Sequence, residues 1–382
     1  RELLDKPDCR LVTLTGISGT GKSTLATFIA HERQDTDSHG VAMVSLSAVE
    51  EITKLAQAIL NALDVSIKGG PHDDQVIAAL KDRHMLMVLD NYQQLLPETT
   101  LIARIIDETP NVQLLITSQV ALNLRGEWML PLTGLQDEDV AFQLFRKTVE
   151  RIQPRFDLSA YRDDVAQICT LLEGLPLGIV IAAGQVKYSS PPQILDALRD
   201  DPLALTSTYQ DMPERHQGFT HLVSATLKHL SDEEKRALRA LVIFRGSFQH
   251  EAALAVAGID MTTFIALVDK SLVQRAEYFR YRIHSLLRRI FLDQLTISGE
   301  HETVCQRLTA YYIEWCHDLY RRNLEKADTM RRIEAEHVNI WHLDMLTPFE
   351  QGRYLLEIVP VLNSYWRNRG FREQVKAILA HA

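Results

Sequence analysis

The chain has 382 residues, of which 46% are apolar and 24% charged, with a formal net charge of −9. These are globular proportions with room for several cores, and the acidic balance excludes a chain that binds nucleic acid or an anionic membrane over its whole surface. No apolar run approaches the roughly 18 residues of a spanning helix, and no signal-peptide pattern opens the chain, so a cytoplasmic protein without a membrane segment is expected.

Arg1-Glu2-Leu3-Leu4 reads as the interior of a helix, and Glu373–Ala382 as another without a cap, the pattern of a module from a larger polypeptide. Leu11-Val12-Thr13-Leu14-Thr15 is β-prone and apolar. Gly16 to Ser23 then spell Gly-Ile-Ser-Gly-Thr-Gly-Lys-Ser, the phosphate-loop pattern G-x-x-x-x-G-K-[ST], and Ser23–Ala30 reads as a helix. Glycines allow backbone N–H groups to turn inward around phosphate oxygens, and the helix adds the positive end of its dipole. Candidate nucleotide contacts are Gly16, Ser18, Gly19, Thr20, Gly21, Lys22, Ser23 and Thr24. Lys22 supplies a compact cation and Ser23 a Mg²⁺-ligating hydroxyl.

Val41–Leu46 reads as a strand, and Glu50–Leu63 carries apolar residues at helical spacing. Gly69-Gly70-Pro71 is a loop. Met85–Leu89 is wholly apolar, as a parallel strand buried on both faces should be. Asp90 follows it, where a carboxylate can hold Mg²⁺. Val112–Thr117 is a further strand and Trp128–Leu130 a short last one. Strands alternating with helices predict an α/β phosphate-loop domain with a parallel sheet.

After Pro131 the strand signals fade. Helices are expected over Asp137–Val149, over Tyr161–Leu172 and after Gly174-Leu175-Pro176, then a loop over Asp201–Pro213. Residues 218–297 read as short helices, a hairpin near Leu272–Ile283 and a helix from Ser285, the order of a winged helix. From 301 the chain is helical, with Tyr311, Tyr312 and Trp315 spaced for core packing. Cys9, Cys169, Cys305 and Cys316 have no metal-ligand spacing and are expected as reduced thiols. The predicted divisions are a nucleotide-binding domain (1–133), an all-α domain (134–213), a winged helix (214–297) and the start of a helical repeat arm (298–382).

Several stretches resemble the NB-ARC/STAND signal-transduction ATPases. LVTLTGISGTGKSTLA (11–26), MLMVLDNYQQLL (85–96) and LLITSQ (114–119) resemble that family's successive nucleotide motifs. GLQDEDVAFQLF (134–145) and EGLPLGIVIA (173–182) resemble its helical domain, while LVDKSLV and YRIHSLLRRIFLDQL resemble its winged helix. The tail is similar to the helical arm of bacterial members. The resemblance implies an adenine-nucleotide switch that is closed with ADP, exchanges to ATP with Mg²⁺, opens and forms a homo-oligomer. It also implies a fused effector upstream and a helical-repeat sensor downstream. Pro176 matches the proline that packs on adenine, against the alternative of an ordinary helix break. His284 matches a histidine that touches the ADP β-phosphate, against the alternative of a surface histidine on the wing.

Asn91 stands where many relatives carry an acid, and Gln119 where many carry a γ-phosphate-sensing arginine. No catalytic residue is therefore assigned, and hydrolysis is expected to be slow or absent. The competing function is a DNA-binding AAA-type initiator ATPase, which would need a basic wing. Residues 218–297 hold 11 Lys/Arg against 8 Asp/Glu, a mild balance that makes direct nucleic-acid binding by this module unexpected.

Overall fold

The computed structural model describes residues 2–34, 38–47, 49, 51–96, 98–201, 230–322 and 326–341, with isolated positions between 353 and 366. The chain divides into two compact units, Arg1–Thr226 with Asp269–Ser271, and Leu227–Val268 with Leu272–Ala382.

In the first unit, β1 (Leu11–Thr15), β2 (Val41–Ser45), β3 (Met85–Asp90), β4 (Val112–Thr117) and β5 (Glu127–Pro131) form one sheet in the order β2-β3-β4-β1-β5. Every pairing is parallel. Side-chain alternation divides β3 between two cores. Met85, Met87 and Leu89 pack with α2 (Leu55–Ala62), α3 (His72–Leu80) and α4 (Thr100–Glu108), while Leu86 and Val88 pack with α1 (Lys22–Arg33). This two-sided burial is why the strand has no polar position before Asp90. The order places β4 between β1 and β3. Leu14 is level with Thr117, and Leu89 with Ile116. The ends of β1, β4 and β3 therefore open side by side at one edge of the sheet.

The all-α part of this unit comprises α5 (Glu138–Ile152), α6 (Arg162–Leu171), α7 (Pro176–Gly184) and α8 (Pro191–Asp200). Asp137 caps α5 by accepting from the amides of Asp139 and Val140, satisfying donors that the first turn would otherwise leave orphaned.

Two expectations are corrected. Residues 2–8 form turns rather than a helix, closed by Lys6 N–H to the Leu3 carbonyl and Cys9 N–H to the Lys6 carbonyl. Pro7 disfavours helical backbone at Lys6 and lacks an N–H of its own. The helix expected from Glu50 starts later, with a 3₁₀ turn (Ile52–Lys54) ahead of α2. The predicted loop beyond Asp201 and the predicted helix Glu373–Ala382 lie outside the described residues.

In the second unit, α9 (Asp232–Leu241), α10 (His250–Ala257), α11 (Met261–Asp269), β6 (Val273–Arg275), β7 (Tyr281–Ile283) and α12 (Ser285–Ile297) follow the expected helix–hairpin–helix order. β6 and β7 pair antiparallel, and Phe248 bridges to Tyr281. α13 (His301–Arg321) and α14 (Lys326–Ile340) follow. Tyr312 is fully buried with Tyr311 and Trp315 edge-on to it, 5.2 and 6.3 Å away. All four cysteines are buried free thiols. Among the described residues no single helix is long and apolar enough to cross a membrane.

Candidate functional site

β1 delivers Gly16 to the sheet edge, and the chain turns there because Gly16 adopts φ 145° with no side chain to oppose it. A Cβ at this position would meet the Leu132 carbonyl oxygen at 2.5 Å, so only glycine fits without moving backbone. The Thr20 hydroxyl donates to the Ile17 carbonyl (2.9 Å) and tightens the loop. Ser18, Thr20 and Lys22 are buried, whereas Thr24 is exposed on α1.

Lys22 is 8% exposed. Its ammonium donates to the Gly16 and Ile17 carbonyls at 2.8 and 2.9 Å. Burial lowers its pKa to about 8, with Asp90 acting in the opposite direction. The cation is thus desolvated and held by neutral carbonyls of its own loop, an arrangement that favours an incoming anion.

Asp90 ends β3 at 7% exposure. Its Oδ1 accepts from the Thr117 hydroxyl (2.5 Å), and its Oδ2 from the Asn91 amide (2.9 Å). Asn91 adopts left-handed backbone, φ 67°, which asparagine tolerates better than most residues. Its side chain also donates to Ser47 (3.0 Å), and its N–H donates to Thr117 Oγ1 (2.9 Å). Ser23 is the second residue of α1, and its carbonyl accepts from Thr27.

Pro176 is brought to this loop. It is the first residue of α7, and the next N–H, from Leu177, donates to the Gly19 carbonyl (3.2 Å). Proline suits the first helical turn, where its missing N–H costs nothing. The approach is fixed by a backbone crossing in which Leu135 N–H donates to the Gly174 carbonyl (2.8 Å). A Cβ at Gly174, at φ 66°, would meet the Leu135 carbonyl oxygen at 2.1 Å, and one at Gly134 the Glu173 carbonyl oxygen at 1.9 Å.

His284 lies in the second unit, between β7 and α12, and is 2% exposed. It is not a surface residue of the hairpin. Gln119 follows β4 and is half-buried. The LLITSQ motif (114–119) contains Thr117 without marking a role for it, and Ser47 carries no sequence signal at this site. A threonine on a β-rich apolar run looks like strand propensity, and only its place at the end of the middle strand marks it.

The NB-ARC domain profile matches residues 1–153. A Mycobacterium tuberculosis protein of uncharacterised function is 30% identical over 316 residues, 78% of this chain and 80% of its own length. A protein named as an HTH-type transcriptional regulator in the same species is 33% identical over 318 residues. That alignment takes in 79% of this chain, which spans about a third (36%) of the regulator's length. The crystal structure of a Signal Transduction ATPase with Numerous Domains protein with a tetratricopeptide repeat sensor, from Pyrococcus horikoshii, aligns at 14% identity and a TM-score of 0.34. That alignment covers all of this chain and 57% of that one. With a phosphate loop, a parallel five-stranded sheet and this degree of identity to a full-length relative, the chain belongs to the NB-ARC family, whose members are nucleotide-binding phosphate-loop modules.

Proposed function

We propose that this chain is the nucleotide switch of a signalling or transcription-regulating protein, closed with ADP and opened by exchange to ATP, with a homo-oligomer as its active form. One observation carries the reading. Lys22 is buried, bonded to neutral carbonyls, and close enough to Asp90 for that carboxylate to oppose its loss of charge. A buried cation without a hydrogen-bonded acid is unfavourable in isolation, and phosphate oxygens at this loop remove the penalty.

Gly16–Thr24 would cradle the phosphates and Pro176 would pack on the adenine. Ser23 and Asp90 offer Mg²⁺ hard oxygen donors. Among the described residues no cluster of three or more His, Cys, Asp or Glu could hold a metal alone, and one carboxylate with one hydroxyl suits an ion whose shell is completed by phosphates and water. When bound, Mg²⁺ would neutralise phosphate charge. His284 would latch the closed state through the ADP β-phosphate. One hydrogen bond to a charged group contributes about 1.5–3 kcal/mol, enough to bias a switch whose coupling is typically about 1–3 kcal/mol.

Hydrolysis would be slow or absent. Asn91 is no base and its amide is engaged by Asp90 and Ser47, and Gln119 cannot supply cationic stabilisation. The domain divisions at 133, 213 and 297, the cytoplasmic location, the upstream effector and the downstream repeat sensor belong to the same proposal. So does the reading that this module does not bind nucleic acid directly.

The test is to denature the purified protein and identify the released nucleotide by chromatography. ADP is expected. Stoichiometric ATP, or an empty site that refuses ADP in calorimetry, would overturn the ADP-closed reading.

A further inference from the structure

β4 lies between the strand that leads into the phosphate loop and the strand that ends at Asp90. Thr117, its last residue, is therefore set between the two, and it is fully buried. Its hydroxyl oxygen accepts from the Asn91 N–H (2.9 Å), and the hydroxyl proton is directed to Asp90 Oδ1 (2.5 Å). A hydroxyl has one proton to give, so this pair of bonds has one direction. The Asn91 amide reaches the other carboxylate oxygen at 2.9 Å and is itself steadied by Ser47 at 3.0 Å. Each oxygen of Asp90 is thus tied by a neutral donor, one from β4 and one from the residue after β3. Each oxygen still has a further lone pair to offer. Because the donors are neutral, they fix the plane of the carboxylate without pairing it to an opposite charge.

Resting on the phosphate-site reading above, we propose that Thr117 is a positioning residue. It holds Asp90 in the orientation that receives Mg²⁺ with the nucleotide, and Asn91 holds the second oxygen in the same role. The residue at the acid position is on this account a carboxylate clamp. A purely structural Thr117 would alter folding stability alone, whereas a positioning Thr117 alters the metal-dependent part of nucleotide affinity.

The experiment measures ATP affinity by calorimetry on nucleotide-stripped wild type, Thr117→Val and Thr117→Ser, in Mg²⁺ and in EDTA. Wild type is expected to bind ATP more tightly in Mg²⁺. Thr117→Val should reduce that Mg²⁺ advantage by about 10–100-fold, the usual cost of losing a residue that orients a metal ligand, with affinity in EDTA little changed. Thr117→Ser, which keeps the hydroxyl, should restore it. If Thr117→Val does not fold, Asn91→Gly carries the same expectation, because glycine suits φ 67° and removes the other donor. Full Mg²⁺ advantage in Thr117→Val or in Asn91→Gly overturns this proposal and leaves the nucleotide reading standing, as does a Thr117→Ser that behaves like Thr117→Val. A wild type that binds ATP equally with and without Mg²⁺ overturns the proposal together with the metal role of Asp90. A wild type that binds no nucleotide overturns the underlying reading as well.

Discussion

Lys22 and Asp90 of the first unit and the Arg280–Glu336 network of the second both bury opposite charges, and they partner them differently. Arg280, 8% exposed on the hairpin, donates directly to Glu336 of α14, which is 4% exposed. Tyr312 donates to the second Glu336 oxygen (2.8 Å). Arg280 also donates to the Ser247 hydroxyl (2.8 Å), and Asn339 to the Ser247 carbonyl (2.7 Å). The amides of Arg245 and Gly246 close on the Asn339 side-chain oxygen. In the first unit, Lys22 and Asp90 are held instead by carbonyls, a hydroxyl and an amide. Charges that neutralise one another fix two elements together. Charges held apart by neutral partners remain available to a ligand that carries both signs, as a nucleotide with its cation does.

The comparison breaks first at Arg280. Arg280→Ala leaves Glu336 buried without its cation and should cost about 3–5 kcal/mol, read as a fall in the denaturation midpoint of the second unit. The double variant Arg280→Met/Glu336→Leu should recover most of that loss. A single variant as stable as wild type would mean that the network is not a closed ion pair. Lys22→Ala should show the opposite pattern. The ligand-free protein keeps or gains stability, because a desolvated cation has gone, while nucleotide affinity is lost.

Gly174→Ala should destabilise the first unit by at least about 1–3 kcal/mol, the cost of an L-residue held in unfavourable backbone, increased by the approach to Leu135. Circular dichroism melting reads this. A neutral result would mean that the crossing which places Pro176 can relax.

Asn91→Asp puts a second carboxylate beside Asp90 in place of a donor 2.9 Å away. Like charges so close raise the pKa of the pair. The variant should lose about 1–3 kcal/mol near pH 8 and less near pH 5, because protonation of a raised carboxyl removes the repulsion as pH falls. A variant that shows no such pH dependence would contradict the clamp.

The smallest effect concerns the Lys22 proton. Its folded pKa, lowered to about 8, lies below its ordinary value of 10.5. The unfolded chain therefore holds more protons between those values, and this group's cost to stability is full below pH 8 and fades as pH rises through the window. An anionic ligand raises the pKa again, so ADP binding near pH 9 should take up close to one proton, and the uptake by Lys22 should shrink as pH falls below 8. Calorimetry in buffers of different ionisation enthalpy measures the uptake. Identical enthalpies across buffers at pH 9 would contradict it.

Much of the first unit is legible in the sequence because its signals are local. The strand before the phosphate loop, the apolar run ending at Asp90 and the switch to helices after Pro131 each lie within one window. α3 begins with His72-Asp73-Asp74 and shows only a short apolar face, which hides it. α4 has a plain one in Leu101, Ile102 and Ile105 and could have been read from it. The strand order is not legible, since pairing in a parallel sheet is non-local, and the role of Thr117 depends on that order. Arg280 and Glu336 are 56 residues apart, and no local pattern links a hairpin arginine to a glutamate on a later helix. His284 stands out only through its motif neighbours, and its burial is not legible, because a short hairpin next to a helix looks exposed in sequence.

On the proposed reading, the loop around Lys22 is a phosphate site whose cation is held ready by neutral partners. Thermal unfolding of wild type and Lys22→Ala, each nucleotide-stripped and titrated with ADP, tests it most directly. The wild-type midpoint should climb with ADP concentration as linkage requires. Lys22→Ala should start at or above the wild-type midpoint and stay there at every ADP concentration. A variant that starts well below wild type, or that climbs with ADP as wild type does, would contradict the account.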